Sequence, residues 1–282
     1  MIERRTFLKN AVLGGIGAVM LPQVLKAEGL HNFSTSRKED VGIQLYSIKE
    51  TMAKDVEKTL AQVAKIGYKK VELAGYYNMD AKKFKAALDK AGLKAPSTHI
   101  AKDRVEKEID KVIEEAGILG HEYIIVPWME PKTADDYKAA AQVFNKAGEA
   151  CKKAGFKFGY HNHAFEFDKF DGVTGYEILL NETDKSLVEF ELDLFWVAKA
   201  KGDIIAMFEK YPGRFPMWHV KDMAKNLEEN NTEIGSGQLN WPKIFANAEK
   251  SGMKHFFVEQ ENYEMDQMKS IAISHEYLKN LK

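Results

Sequence analysis

The sequence predicts a single-domain α/β protein, a (β/α)8 TIM barrel preceded by an export signal, and three observations predict it. From Val41 onward, short apolar or alternating runs are each followed by a stretch of helical spacing, and this pairing recurs to the end of the chain. Strand starts repeat about every 25–35 residues, the size of one strand–helix unit. Most strands end in imidazole or charged side chains, as barrel strands do where their carboxyl ends build a site. Eight units close a barrel, whereas a doubly wound open sheet has about five or six strands. No Pro/Gly/Ser-rich linker splits the chain.

The first unit reads VGIQLYSI as a strand and TMAKDVEKTLAQVAKIG as a helix, with Val56, Leu60 and Val63 on one side and Gly67 closing it. KKVELAG is the second strand. Asp80 can cap the helix that follows, which carries Phe84, Leu88 and Ala91 and closes at Gly92. LKAPSTHI is the third strand, with Val105, Ile109, Val112 and Ile113 on its helix. HEYIIVPW, the fourth, is nearly all apolar, as a strand covered on both faces should be. Its helix runs from Ala134 to Ala154 and buries Tyr137, Ala141, Phe144 and Ala147.

In the fifth strand, GFKFGYHNHAFEF, Phe156, Phe158 and Tyr160 alternate before the run breaks into His161, Asn162, His163 and Glu166. LVEFELDLFW, FPMWHVKD and HFFVEQE are strands six to eight, with helices at 202–210, 241–251 and 265–282. The one cysteine, Cys151, excludes a disulfide framework and reads as a packing residue.

The 282 residues are 45% hydrophobic, ample for one large core, and 41 basic side chains balance 42 acidic ones. That balance argues against a nucleic-acid partner. Glu3-Arg4-Arg5-Thr6-Phe7-Leu8-Lys9, followed by the weakly apolar run Ala11 to Leu21, resembles a twin-arginine signal. The run is short of the ~20 residues of a membrane span, so no stable insertion is expected after signal removal. The expected division is a signal at 1–27, a linker at 28–39 and the barrel at 40–282, with a periplasmic destination. A route that exports folded proteins suits a metal chosen before export and trapped by folding.

The strand ends carry the chemistry. They supply Glu72, His99, Trp128, the His161/His163/Glu166 group, Glu191 and Asp193, His219 with Lys221 and Asp222, and Glu259 with Glu261. Carboxylates at the ends of successive buried strands are costly to desolvate without a partner, and a divalent cation is the simplest common one. An oxygen-rich site of carboxylates and imidazole favours manganese or magnesium, with cobalt or zinc as further occupants. A Cys-based structural zinc site is impossible here. The cation would polarise a carbonyl or vicinal diol.

The runs YHNHAFEF, ELDLFW, MWHVKD, GSGQLNW and FFVEQE are similar in order and spacing to the sugar phosphate isomerase/epimerase-like family. This is the xylose isomerase-like barrel group that also holds inosose dehydratases, ketose 3-epimerases and endonuclease IV. The resemblance covers the chain after residue 40. It implies one divalent metal held by Glu166, Asp193, His219 and Glu259, the last three on specific motifs. The chain departs from the epimerases at strand five, where His161-Asn162-His163 stands near the place of their ligating Glu. Either Glu166 reaches back to the metal, the preferred reading, or a histidine replaces it.

The function expected from this resemblance is a sugar isomerase or epimerase acting on a non-phosphorylated sugar or keto-sugar through a metal-stabilised enediolate. His163 or His161 would serve as base, Glu259 or Glu166 as proton-transferring carboxylates, and Lys221 would hold the developing charge. His99, Trp128, Trp196 and Lys221 are candidate substrate contacts, and Phe165 and Trp218 are further aromatics placed near the mouth. The Gly235-Ser236-Gly237 turn is a weak phosphate signal, better read as a lead into the next helix. A dehydratase or a 3-keto-glycoside lyase needs the same first step, and a non-catalytic sugar-binding barrel is the third reading. A homodimer is compatible with the sequence but not indicated by it.

Overall fold

A computed structural model describes residues 40–281 except 227 and 229. The expected signal and the linker lie outside the described residues. Eight parallel strands close into a barrel: β1 Gly42–Gln44, β2 Lys70–Leu73, β3 Lys94–His99, β4 Tyr123–Val126, β5 Lys157–His161, β6 Val188–Asp193, β7 Met217–Val220 and β8 His255–Val258. Each pairs with its chain neighbours, and β1 meets β8 through Gly42↔Phe257 and Ile43↔Val258.

The strands are shorter than their apolar runs suggest, because side chains at their carboxyl ends start helices early. Gln44 accepts from the Tyr46 N–H and turns the chain into a 3-10 helix, Leu45–Ile48. Asp193 caps the helix Leu194–Lys199, so Trp196 lies on a helix and not on the strand. The first expected helix is two, Lys49–Lys54 and Val56–Ile66, divided at Asp55, whose carboxylate caps the second. The helix Gly175–Glu182, with its Thr174/Glu177 capping box, closes the β5–β6 unit, where the sequence expectation has no helix. Small hairpins follow β5, pairing Lys169–Phe170 with Val173–Thr174, and β7, pairing Asp222–Met223 with Asn231–Thr232.

The large core lies between barrel and helices, while Tyr123, Ile125, Met217 and Phe257 form a smaller cluster of their own. Two glycines make room for that cluster. A Cβ at Gly42 would sit 2.5 Å from the Phe257 ring, and one at Gly159 would sit 2.8 Å from Ile125 Cδ1. Parity along β5 follows from this: Gly159 and His161 face the barrel axis, whereas Phe158 and Tyr160 pack on Phe144 of the helix layer. Cys151 is a buried free thiol, and burial pushes its pKa up to about 12.

Candidate metal centre

Register sets the height of every functional side chain. His161 pairs across from Glu191, and Asp193 from His219, so the imidazoles and carboxylates of β5 to β7 rise in steps toward the carboxyl rim. Glu72, Glu191, Asp193, His219 and Lys221 are fully buried. The rim group is His161, Asp193, His219 and Glu259. His161 Nε2 lies 3.4 Å from Asp193 Oδ2, and His219 Nδ1 lies 2.9 Å from Glu259 Oε2 and 3.9 Å from Asp193 Oδ2.

Neither ring nitrogen of buried His161 has a hydrogen-bond partner, and Asp193 Oδ2 has no hydrogen bond but faces the Lys221 ammonium at 3.3 Å. Unpaired buried donors and acceptors are costly, and a divalent cation shared by these atoms would satisfy them together. Two carboxylates and two imidazoles thus fit a divalent cation, with one more nitrogen and one fewer oxygen than the resemblance implied. Among the described residues Asp193, His219 and Glu259 come together as the expectation had them.

Glu166 does not join them. Its carboxylate accepts from the Tyr160 hydroxyl at 2.6 Å and from the His163 N–H at 2.8 Å. The physical reason is parity, since Tyr160 points away from the barrel axis and draws Glu166 to that side. Burial pushes the Glu166 pKa up to about 7, and it braces the turn that carries His163. His161 takes the strand-five place in the cluster. Asn162, in the strand-five run but assigned no role from the sequence, accepts from the Asp193 N–H through its side-chain oxygen at 3.0 Å, tying the end of β5 to the end of β6.

Lys221 also departs from expectation as a substrate contact. Its ammonium lies 2.7 Å from Glu261 Oε1, 2.8 Å from Glu259 Oε2 and 3.3 Å from Asp193 Oδ2. Burial opposes its charge, but the three carboxylates outweigh burial and raise its pKa. It is a fixed internal cation behind the rim.

A cavity of about 760 Å³ opens over the group. Its lining includes His99, His161, His163, Glu259, Tyr46, Tyr76, Trp128 and Trp196, and not Lys221. His163 meets Trp128 edge-on, with ring centres 4.8 Å apart, and lies parallel to Phe165 at 5.7 Å. Burial, and after it His161, pushes the His163 pKa down to about 3, so the imidazole stays neutral. Trp218 is not at the mouth; it stacks on Phe208 in the core at 5.0 Å. The Gly235–Leu239 turn is no open cradle, because the Gly235, Gly237 and Leu239 N–H groups and the Trp241 indole all donate to the Asp222 carboxylate.

The family model described as "Xylose isomerase-like TIM barrel" matches residues 60–281. An inosose dehydratase of Clostridium beijerinckii is 25% identical over 203 residues, a match spanning 61% of this chain and 65% of that relative's length. A sugar phosphate isomerase/epimerase structure from Parabacteroides distasonis is 30% identical with a TM-score of 0.77, covering 85% of this chain and 93% of that one. The crystal structure of the IOLI protein with a bound zinc atom shares the fold at 14% identity and a TM-score of 0.67, over 84% of this chain and 95% of its own. The closed eightfold barrel and the matched span agree, and the chain belongs to the xylose isomerase-like TIM barrel family.

Proposed function

We propose that this chain is a divalent-metal-dependent enzyme that removes the proton beside the carbonyl of a non-phosphorylated keto-sugar, and that β-elimination completes the reaction. The observation that carries this reading is the rim group itself, in which His161 stands with Asp193, His219 and Glu259 where a two-carboxylate epimerase has a second Glu. Proton exchange on opposite faces of a substrate needs a base on each face. Here the second metal-side carboxylate of such an exchange is replaced by the imidazole of His161. The inosose dehydratase relatives support the same outcome.

A divalent cation held by His161, Asp193, His219 and Glu259 would supply Lewis-acid polarisation of the substrate carbonyl. His163, in the cavity wall, takes the α-proton, its basicity raised by the negative charge that develops beside it, and the C–H electron pair moves toward the carbonyl oxygen. Return of that pair forms the C=C bond and expels the β-substituent, water or an aglycone, which takes up the proton. Lys221, 2.8 Å from Glu259 and 3.3 Å from Asp193, holds both carboxylates in place through this step. Trp128 and Trp196 flank the cavity as stacking surfaces for a pyranose ring.

A non-phosphorylated sugar is supported by Arg104, the one lysine or arginine in the described lining, which already holds Glu115 at 3.1 Å, while Glu259 and Glu261 line the same space. A phosphate would meet carboxylates there. Export by the twin-arginine route belongs to the same proposal and rests on Arg4-Arg5 and the segment after them; fractionation of cells expressing the full chain checks it.

Incubating the metal-loaded protein with a 3-keto-glycoside in deuterated water tests the reaction. Loss of water or aglycone is the expected result. Deuterium exchange with an isomerised or epimerised product, and no elimination, would favour the isomerase reading, which the 30% identical Parabacteroides structure supports. Binding without turnover would leave only a sugar-binding barrel.

A further inference from the structure

Below the rim group a second set of donors meets from the two sides of the barrel. Glu72 Oε2, on β2, lies 2.6 Å from His219 Nε2 and 3.3 Å from His99 Nε2. Glu191 Oε2, on β6, lies 2.8 Å from His99 Nε2 and 3.4 Å from His219 Nε2. Four strands contribute one atom each, so no local turn accounts for the cluster. Both carboxylates are fully shielded from solvent, and Glu191 Oε1 has no hydrogen-bond partner at all.

The spacing is that of a coordination shell. Bonds of about 2.0–2.2 Å to a tetrahedral ion place its ligands about 3.3–3.6 Å from one another. Two of the four contacts are already there, and the two short ones open by less than about 1 Å once an ion replaces the shared proton. The outer partners also fit. Gln44 Nε2 donates to Glu72 Oε2 at 2.7 Å, the Ser97 hydroxyl donates to Glu72 Oε1, and Glu259 receives the far side of the His219 ring. Such contacts fix the tautomer and the direction of metal-bound side chains.

We propose that Glu72, His99, Glu191 and the Nε2 of His219 form a second, deeper divalent-cation site, separate from the rim group and sharing only His219 with it. Two carboxylates neutralise the dication, and two neutral imidazoles complete a shell suited to zinc, cobalt or manganese. Binding displaces the protons held on the two Nε2 atoms to solvent. An ion at the rim and an ion below then meet opposite nitrogens of the one His219 ring, Nδ1 and Nε2, and its last proton leaves as the second ion enters. The deep ion fixes the His219 ring from below.

The test is a zinc count on the full chain, stripped with chelator, reloaded with Zn(II) alone and freed of excess. Two zinc ions per chain are expected for the wild type and one for Glu191→Gln or Glu72→Gln, residues that belong to the deep set alone. A zinc anomalous map of the wild type should show a peak within about 2.0–2.2 Å of the four deep donors. One zinc in the wild type and none in Glu191→Gln would place the ion in the deep site alone and uphold the proposal. A count that Glu191→Gln leaves unchanged, or a map with a peak only at the rim, would overturn it. If a variant does not fold by circular dichroism, the wild-type map decides without it.

Discussion

The two ends of the barrel carry hollows of similar volume, about 760 Å³ at the carboxyl end and 690 Å³ at the amino end. Both are edged by histidine, carboxylate and a basic side chain, lysine at the amino end and Arg104 at the carboxyl end. At the amino end Lys70 lies 2.9 Å from Asp40 and His255 lies 3.4 Å from Glu122, but Asp40 and Glu122 keep 53% and 64% of their side-chain surface in solvent. At the carboxyl end Glu72, Glu191, Asp193, His219 and Lys221 keep none. Water screens the first set and makes each pair nearly dispensable. The second set has lost its water, and every charge there is held only by its neighbours. Desolvated charge, not the size of the hollow, distinguishes the carboxyl end from the amino end.

The largest difference between the ends should appear in turnover. Glu259→Gln keeps the shape of the rim group but removes a charge from it, and kcat on a keto-sugar should fall by about 10²–10⁴-fold, the range for loss of a positioned proton-transfer or charge-stabilising group. Glu122→Gln at the amino end should leave kcat unchanged. Equal losses in both variants would mean that the two ends share in the chemistry, and the comparison would fail.

Stability gives the next largest contrast. Lys221→Met leaves Asp193 and Glu259 buried beside each other without their cation. Breaking a buried charge group by removing one partner costs about 3–5 kcal/mol. Urea unfolding of the metal-free protein should show a loss of that size. A loss under about 1 kcal/mol would mean that the Lys221 contacts are solvated in solution and that the end is wetter than its burial implies.

Much of this contrast was legible in the sequence, and the part that was not has a physical reason. Period-2 alternation places Glu191 with Asp193 and His219 with Lys221 on the inward side of their strands, so inward charge at the strand ends can be read without coordinates. Height cannot, because it depends on the stagger between strands that are distant in sequence. Glu72, His99 and Glu191 were each recognisable as strand-end residues, yet only the pairings Glu72↔Ser97 and His161↔Glu191 show them meeting beneath the rim. Glu166 illustrates the other limit. It lies past the end of β5, where alternation no longer specifies a direction, and the outward Tyr160 hydroxyl decides its place. Trp196 and Trp218 both sit in apolar runs beside charged residues, but one opens a helix at the rim and the other is core.

Glu166 yields a pH prediction of intermediate size. Its carboxyl ionises near 4.5 when unfolded and near 7 in the fold, because burial disfavours the charge. Between those values the folded state keeps a proton that the unfolded state has lost, so stability falls as pH rises through the window. A shift of this size corresponds to about 3 kcal/mol at most. Glu166→Gln cannot ionise, and its stability relative to wild type should rise by up to that amount between about pH 4.5 and 7 and stay level above. Unfolding curves of both proteins across this range, without metal, check the sign. Parallel pH profiles would show that Glu166 is ionised throughout and belongs with the solvated carboxylates of the amino end.

The smallest effect is predicted for Lys70→Met. Lys70 begins β2, and its ammonium is the partner of Asp40, whose carboxylate is more than half exposed. Removing the cation leaves a charge that water can solvate, so the cost should be about 0–1 kcal/mol and should vanish in high salt. His255 Nδ1 stands 3.5 Å from the same ammonium, and Lys70 is one of the causes, after burial, that lower the His255 pKa. The variant should therefore raise the His255 pKa as well, which histidine titration by NMR would detect. A cost approaching that of Lys221→Met would show the amino end to be as dry as the carboxyl end, and burial of charge would no longer separate the two.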